Sequence, residues 1–99
     1  MIAHKGENII VASVIKPTSG EFNLADYTID CVVTNIRGKV ILKKVNSDIV
    51  RNNADNAVAC IFTKADTINM KGLYFVSFEL WANGEKVLSN EVEQLTIVE

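Results

Sequence analysis

The sequence predicts an all-β protein, an antiparallel β-sandwich of about seven strands forming one domain over residues 1–99, with one short helical turn near 64–70. Three observations predict it. Read as a strand, Leu73 to Ala82 places Tyr74, Val76, Phe78 and Leu80 on one face, because successive side chains of an extended chain point to opposite sides. Asn83-Gly84 follows, and a type I′ hairpin turn needs positive φ at both central residues, which Asn tolerates and Gly adopts freely. The rest of the chain falls into short apolar runs divided by turn residues, with no internal repeat and no sustained helical period.

Size and charge bound the reading. A chain of 99 residues and 10.9 kDa has room for one core. By surface scaling it exposes about 5,600 Å² when folded against roughly 15,800 Å² unfolded, enough burial to fold without staples. A net charge of −2 argues against nucleic acid as partner, since Lys and Arg must neutralise phosphates there. The charge is uneven: residues 1–51 carry a net +2 and residues 52–99 a net −4, read as two solvated faces of different sign. No apolar run approaches the roughly 20 residues that span a bilayer, and Met1–Gly6 has no signal-peptide pattern. The expectation is a protein made in a cytoplasm, where Cys31 and Cys60 stay reduced in the core.

In chain order, Glu7–Lys16 is a β-branched strand with apolar residues on both faces, ended by Pro17, which cannot donate to a ladder. Phe22 and Leu24 are expected to plug one end of the sandwich. Tyr27–Asn35 alternates as a half-buried strand, with Tyr27, Ile29, Cys31 and Val33 on the inner face. Asn35-Ile36-Arg37-Gly38 reads as a turn and Lys39–Val45 as the next strand. Asn46–Asn56, polar apart from Ile49 and Val50, reads as a loop, exposed over Asn52–Asn56. Ala57–Thr63 returns to strand, with Val58, Cys60 and Phe62 inward. Thr63 and Asp66 have capping-box spacing, which supports a single helical turn toward Met70. After Lys71-Gly72 the long strand begins, and Val92–Glu99 supplies the last one.

Catalytic constellations are missing from this pattern. His4 is the only histidine, read as a solvated residue of a mobile terminus, and one His with two core Cys cannot build a zinc site of ordinary spacing. Asp48, Asp55 and Asn56 lack the spacing of a calcium loop. The sequence therefore predicts no catalytic residue, no cofactor and no metal, and a binding or assembly role in place of an enzyme. Opposite Tyr74, the long strand carries Phe75 and Trp81 around a polar middle, the residue types that anchor interfaces. Ile9 and Val11, on the strand that is apolar on both sides and close to a sheet edge, are the second pair of candidate interface residues.

Tyr74 stands just after the helical corner and two residues before Val76, where an immunoglobulin-type sandwich carries its tyrosine corner; a plain core aromatic is the other reading. A wider pattern adds to this: Phe22-Asn23-Leu24-Ala25-Asp26-Tyr27, Arg37-Gly38-Lys39, Cys60-Ile61-Phe62-Thr63 with Asp66-Thr67, Gly72-Leu73-Tyr74, and Asn83-Gly84 before a terminal strand. It resembles the immunoglobulin-like domain at the N-terminus of phage baseplate upper proteins and similar short phage virion proteins. In baseplate proteins stalk and receptor-facing regions follow this domain. A free-standing domain is similar instead to auxiliary, or decoration, capsid proteins, which reinforce the shell. The resemblance implies an immunoglobulin-like fold and a place in the virion, with the major capsid protein as favoured partner, baseplate or tail proteins second, and other copies of the chain a further option. A carbohydrate- or receptor-binding module using Trp81 is the alternative outside assembly.

Overall fold

The computed structural model describes residues 1–16 and 23–99, within which eight strands run in chain order: β1 (Ile2–His4), β2 (Ile9–Val14), β3 (Thr28–Asn35), β4 (Val40–Lys44), β5 (Ile49–Asn52), β6 (Ala57–Phe62), β7 (Gly72–Ala82) and β8 (Glu85–Val98). They form two sheets, ordered β1-β8-β7-β3-β4 and β2-β6-β5. Every pairing is antiparallel except β1 with β8. The order β8-β7-β3-β4 over β2-β6-β5 is that of the G, F, C, C′ and B, E, D strands of an immunoglobulin sandwich, so the predicted fold class holds.

The hairpin of β7 and β8 forms as its turn chemistry dictates. Asn83 and Gly84 take φ of 54° and 77°, and Tyr74, Val76, Phe78 and Leu80 line the core from β7. The tyrosine corner is present as well. Tyr74 is buried, and its hydroxyl accepts a hydrogen bond of 2.9 Å from the Lys71 backbone N–H three residues upstream. The helical turn is α1 (Lys64–Thr67), opened by a capping box in which the Thr63 N–H donates to Asp66 Oδ2 at 2.8 Å. Two distant contacts dock α1: the Lys64 N–H donates to Asn8 Oδ1, and Thr67 Oγ1 donates to the Glu7 carbonyl.

Three expectations need correction. The first residues are not a mobile terminus: β1 runs parallel to β8 with Ile2 opposite Thr96, Ala3 is buried, and the N-terminal ammonium donates to the Gln94 carbonyl at 3.0 Å. Asn46–Asn56 is not a plain loop, because it contains a 3-10 turn (Asn46–Asp48) and β5, whose Ile49 reaches the core. The turn of residues 53–56 that follows is held by Asn52 Oδ1, which accepts from the Ala54 and Asp55 N–H groups. β3 is buried on both faces, Asp30 and Val32 included, because β7 and β4 flank it. Leu24, in a 3-10 turn (Leu24–Asp26), closes one end of the core as expected. Phe22 and the break at Pro17 lie outside the described residues.

A polar clasp secures that same end. Arg51 of β5 donates to the carbonyls of Leu24 and Tyr27 at 3.1 and 2.9 Å and also to Asn46 Oδ1. Asn46 Oδ1 in turn accepts from the Ile29 N–H at the start of β3. One guanidinium thus ties the edge of the smaller sheet to the first turn of the larger one.

Candidate interaction surface

Each sheet turns one face to the core and one outward, and the outward faces are built from different chemistry. On the five-stranded sheet, register opposes Asp30 of β3 to Glu79 of β7, while Lys43 of β4 stands opposite Val32 and Lys86 of β8 opposite Trp81, each diagonal to one of the carboxylates. Asp30 and Glu79 are directly opposed like charges, an arrangement that destabilises a sheet unless it is neutralised. Lys43 Nζ lies 3.4 Å from Asp30 Oδ2, and Lys86 Nζ of β8 lies 3.3 Å from Glu79 Oε2. The result is a ladder of four charges with an ammonium at each end.

Trp81 belongs to this ladder. Its ring is half-buried, with Lys43 Nζ 5.8 Å from the ring centroid, and its Nε1 is buried without a hydrogen-bond partner among the described residues. Phe75 is half-buried too, flanked in register by Thr34 of β3 and Gln94 of β8. Both candidates point outward as their parity requires, yet each is partly covered by its own sheet. The exposed Ile2 and Leu73 on this face are separated by Thr96.

The three-stranded sheet is different. Its outward rows are Ile10 with Ile61; Ala12, Ala59 and Val50; and Val14, Ala57 and Asn52. Seven of these eight side chains are apolar and none is charged. Ile10 is 62% exposed, Val50 61%, Val14 54% and Ile61 47%. A shallow open groove crosses the face, floored by Ala12 and Ala59, walled by Val14 and Val50, and reaching Asn52 at one end. The small floor residues let another backbone approach closely. An antiparallel sheet ordinarily alternates apolar-in and polar-out; here the outward set is apolar as well. Both flanks of the sheet, β2 and β5, are edges.

The candidates Ile9 and Val11 therefore need correction. At 5% and 1% exposure they are core residues and offer nothing to a partner. Their strand does lie at an edge, and its outward residues are Ile10, Ala12 and Val14. Two further members were missed: Ile61, which follows from the inward parity of Cys60 and Phe62, and Val50, which lay in a segment read as loop.

Titratable groups converge at one other place. Lys44 points inward from β4, and its Nζ lies 2.7 Å from Asp66 Oδ2. Burial raises the Asp66 carboxyl, but hydrogen bonds from Lys44 and from the Thr63 N–H and hydroxyl outweigh it and hold the group below the ordinary carboxylate range. The same bond to Asp66 raises Lys44 against its own desolvation. His4 is exposed on β1, and no cluster of metal-ligating residues occurs among the described residues. Compared with family models and with curated proteins, the chain matches none.

Proposed function

We propose that this protein is a non-enzymatic assembly module that docks onto another protein through the outward face of its three-stranded sheet. The observation that carries the reading is that face itself: contiguous, uncharged, and half or more exposed at Ile10, Val14 and Val50. Exposed apolar patches of this kind on soluble domains mark interaction sites. The flanking edges add unpaired backbone groups, so a partner strand has a place to pair as well as a surface to cover. The setting we propose is the virion, with the chain as an auxiliary capsid protein; this part rests on the sequence resemblance to short phage virion proteins. A sugar-binding use of Trp81 is less favoured, because its ring lies under Lys43 and its indole nitrogen is buried.

The test is the composition of purified particles from the source host. Quantitative mass spectrometry should find the chain in the particle in a fixed ratio to a shell or tail protein, and cross-links should name that neighbour. Its absence from intact particles, with the chain free in the lysate, overturns the virion setting. Cross-links confined to the five-stranded sheet overturn the docking face.

A further inference from the structure

The five-stranded sheet ends in two edges whose residues differ in charge. One edge is β4, and the stretch from Ile36 to Val45 that contains it carries Arg37, Lys39, Lys43 and Lys44 with no acidic residue. Lys43 and Lys44 are held by Asp30 and Asp66, while Arg37 and Lys39 are exposed and form no ion pair among the described residues. At the other edge β1 covers only the end of β8: Ile2–His4 pairs with Thr96–Val98, and the N-terminal ammonium takes the Gln94 carbonyl. Glu85–Glu93 is left with no neighbouring strand on that side among the described residues, and its sequence holds Glu85, Glu91 and Glu93 against Lys86. The uneven charge of the chain is thus sorted between two edges of one sheet.

Strand direction makes the two edges compatible. β4 is antiparallel to β3, β3 to β7 and β7 to β8, so β4 and β8 run in opposite senses. A second copy displaced along the sheet therefore brings its β8 antiparallel to β4 of the first. The levels match as well: followed across β3 and β7, Leu42, Lys43 and Lys44 stand in the rows of Glu93, Glu91 and Asn90. The free stretch of β8 is nine residues long and β4 is five, so the strand fits below β1. Each edge also offers exposed aliphatics, Val40 and Ile41 on β4 and Val87 on β8. Like charges oppose pairing of β4 with a second β4 or of β8 with a second β8, and opposite charges favour the mixed pair.

We propose that a second copy of this chain is the partner of the five-stranded sheet, its free β8 edge adding to β4 as an antiparallel strand and continuing the sheet from copy to copy. Backbone hydrogen bonds supply the pairing, and the charges of the two edges select the partner and its direction. The contact is heterologous, so each copy keeps one unused edge of each kind and the next copy can add. It leaves the outward face of the three-stranded sheet uncovered and does not depend on the docking reading.

The experiment is sedimentation of the full chain at rising concentration, up to about 1 mM, in low and high salt, with backbone amide shifts followed over the same range. The expected result is a mean mass that climbs beyond the dimer, falls several-fold in association constant at high salt, and is accompanied by shifts at Val40–Lys44 and Glu85–Glu93. Two charge reversals sharpen it. Lys39→Glu with Ile41→Glu makes both edges acidic, and Glu91→Lys with Glu93→Lys makes both basic. Each should keep the native Tm and stay monomeric alone, while their equimolar mixture associates. Ile10→Lys should associate as the native chain does, which separates this contact from the docking face. A native chain that stays monomeric, a reversed variant that associates by itself, or shifts confined to β2 and β5 would each overturn the proposal, and the first and last of these need no variant to fold.

Discussion

The two outward faces of this sandwich meet the same solvent with opposite chemistry. The five-stranded sheet neutralises its surface internally, with the Asp30 and Glu79 carboxylates held by Lys43 and Lys86 and the Trp81 ring under an ammonium. The three-stranded sheet leaves Ile10, Val14 and Val50 uncovered, with no charge among its outward rows. The difference teaches that large aromatics do not by themselves mark an interface. A sheet with two ion pairs across its strands can partly cover its own Trp, while modest aliphatics around small alanines remain open.

Four substitutions or titrations break or sharpen that contrast. The largest effect belongs beneath both faces: Phe78→Ala should cost about 3–5 kcal/mol, measured by urea unfolding, and a loss below about 1 kcal/mol would show that its row is not core. Next is the ladder. Replacing Lys43 and Lys86 together by Met should cost about 1–2 kcal/mol by leaving two opposed carboxylates, and adding Glu79→Gln should recover part of it. If the double replacement is neutral, the ladder contributes nothing to that face. The rim pair comes third. The lowered Asp66 contributes stability above the ordinary carboxylate range that is lost as pH falls through its folded value. The raised Lys44 contributes stability at lower pH that is lost as pH rises through its folded value. Both arms should flatten in Asp66→Asn. The smallest effect on folding falls on the open face, where Val50→Lys should change stability by no more than about 0.5 kcal/mol while weakening partner binding at least about tenfold.

Much of the fold was legible because its signals are local. The β7–β8 hairpin follows from alternation and a two-residue turn, and α1 from the spacing of Thr63 and Asp66. β1 was not legible: its partner lies at the far end of the chain, and three residues carry no period of their own. β5 was hidden because a four-residue strand with one buried side chain looks like a polar loop. The candidate surface was half legible. Ile9 to Val14 is apolar at both parities, so alternation cannot choose the inward set, and the register with β6 makes the choice. Phe75 and Trp81 were correctly read as outward, but whether an outward ring is covered depends on side chains from two other strands. Cys31 and Cys60 could each be read as inward, and both are buried.

The most direct test of the docking face is co-sedimentation of the chain with purified particles stripped of it, comparing the native sequence with Ile10→Lys and Gln94→Lys. Ile10 is exposed on the three-stranded sheet and Gln94 on the five-stranded one. The account predicts that Ile10→Lys folds with an unchanged Tm yet loses binding at least about tenfold, while Gln94→Lys binds as the native chain does. Native binding by Ile10→Lys together with loss of binding by Gln94→Lys would contradict it and move the interface to the other sheet.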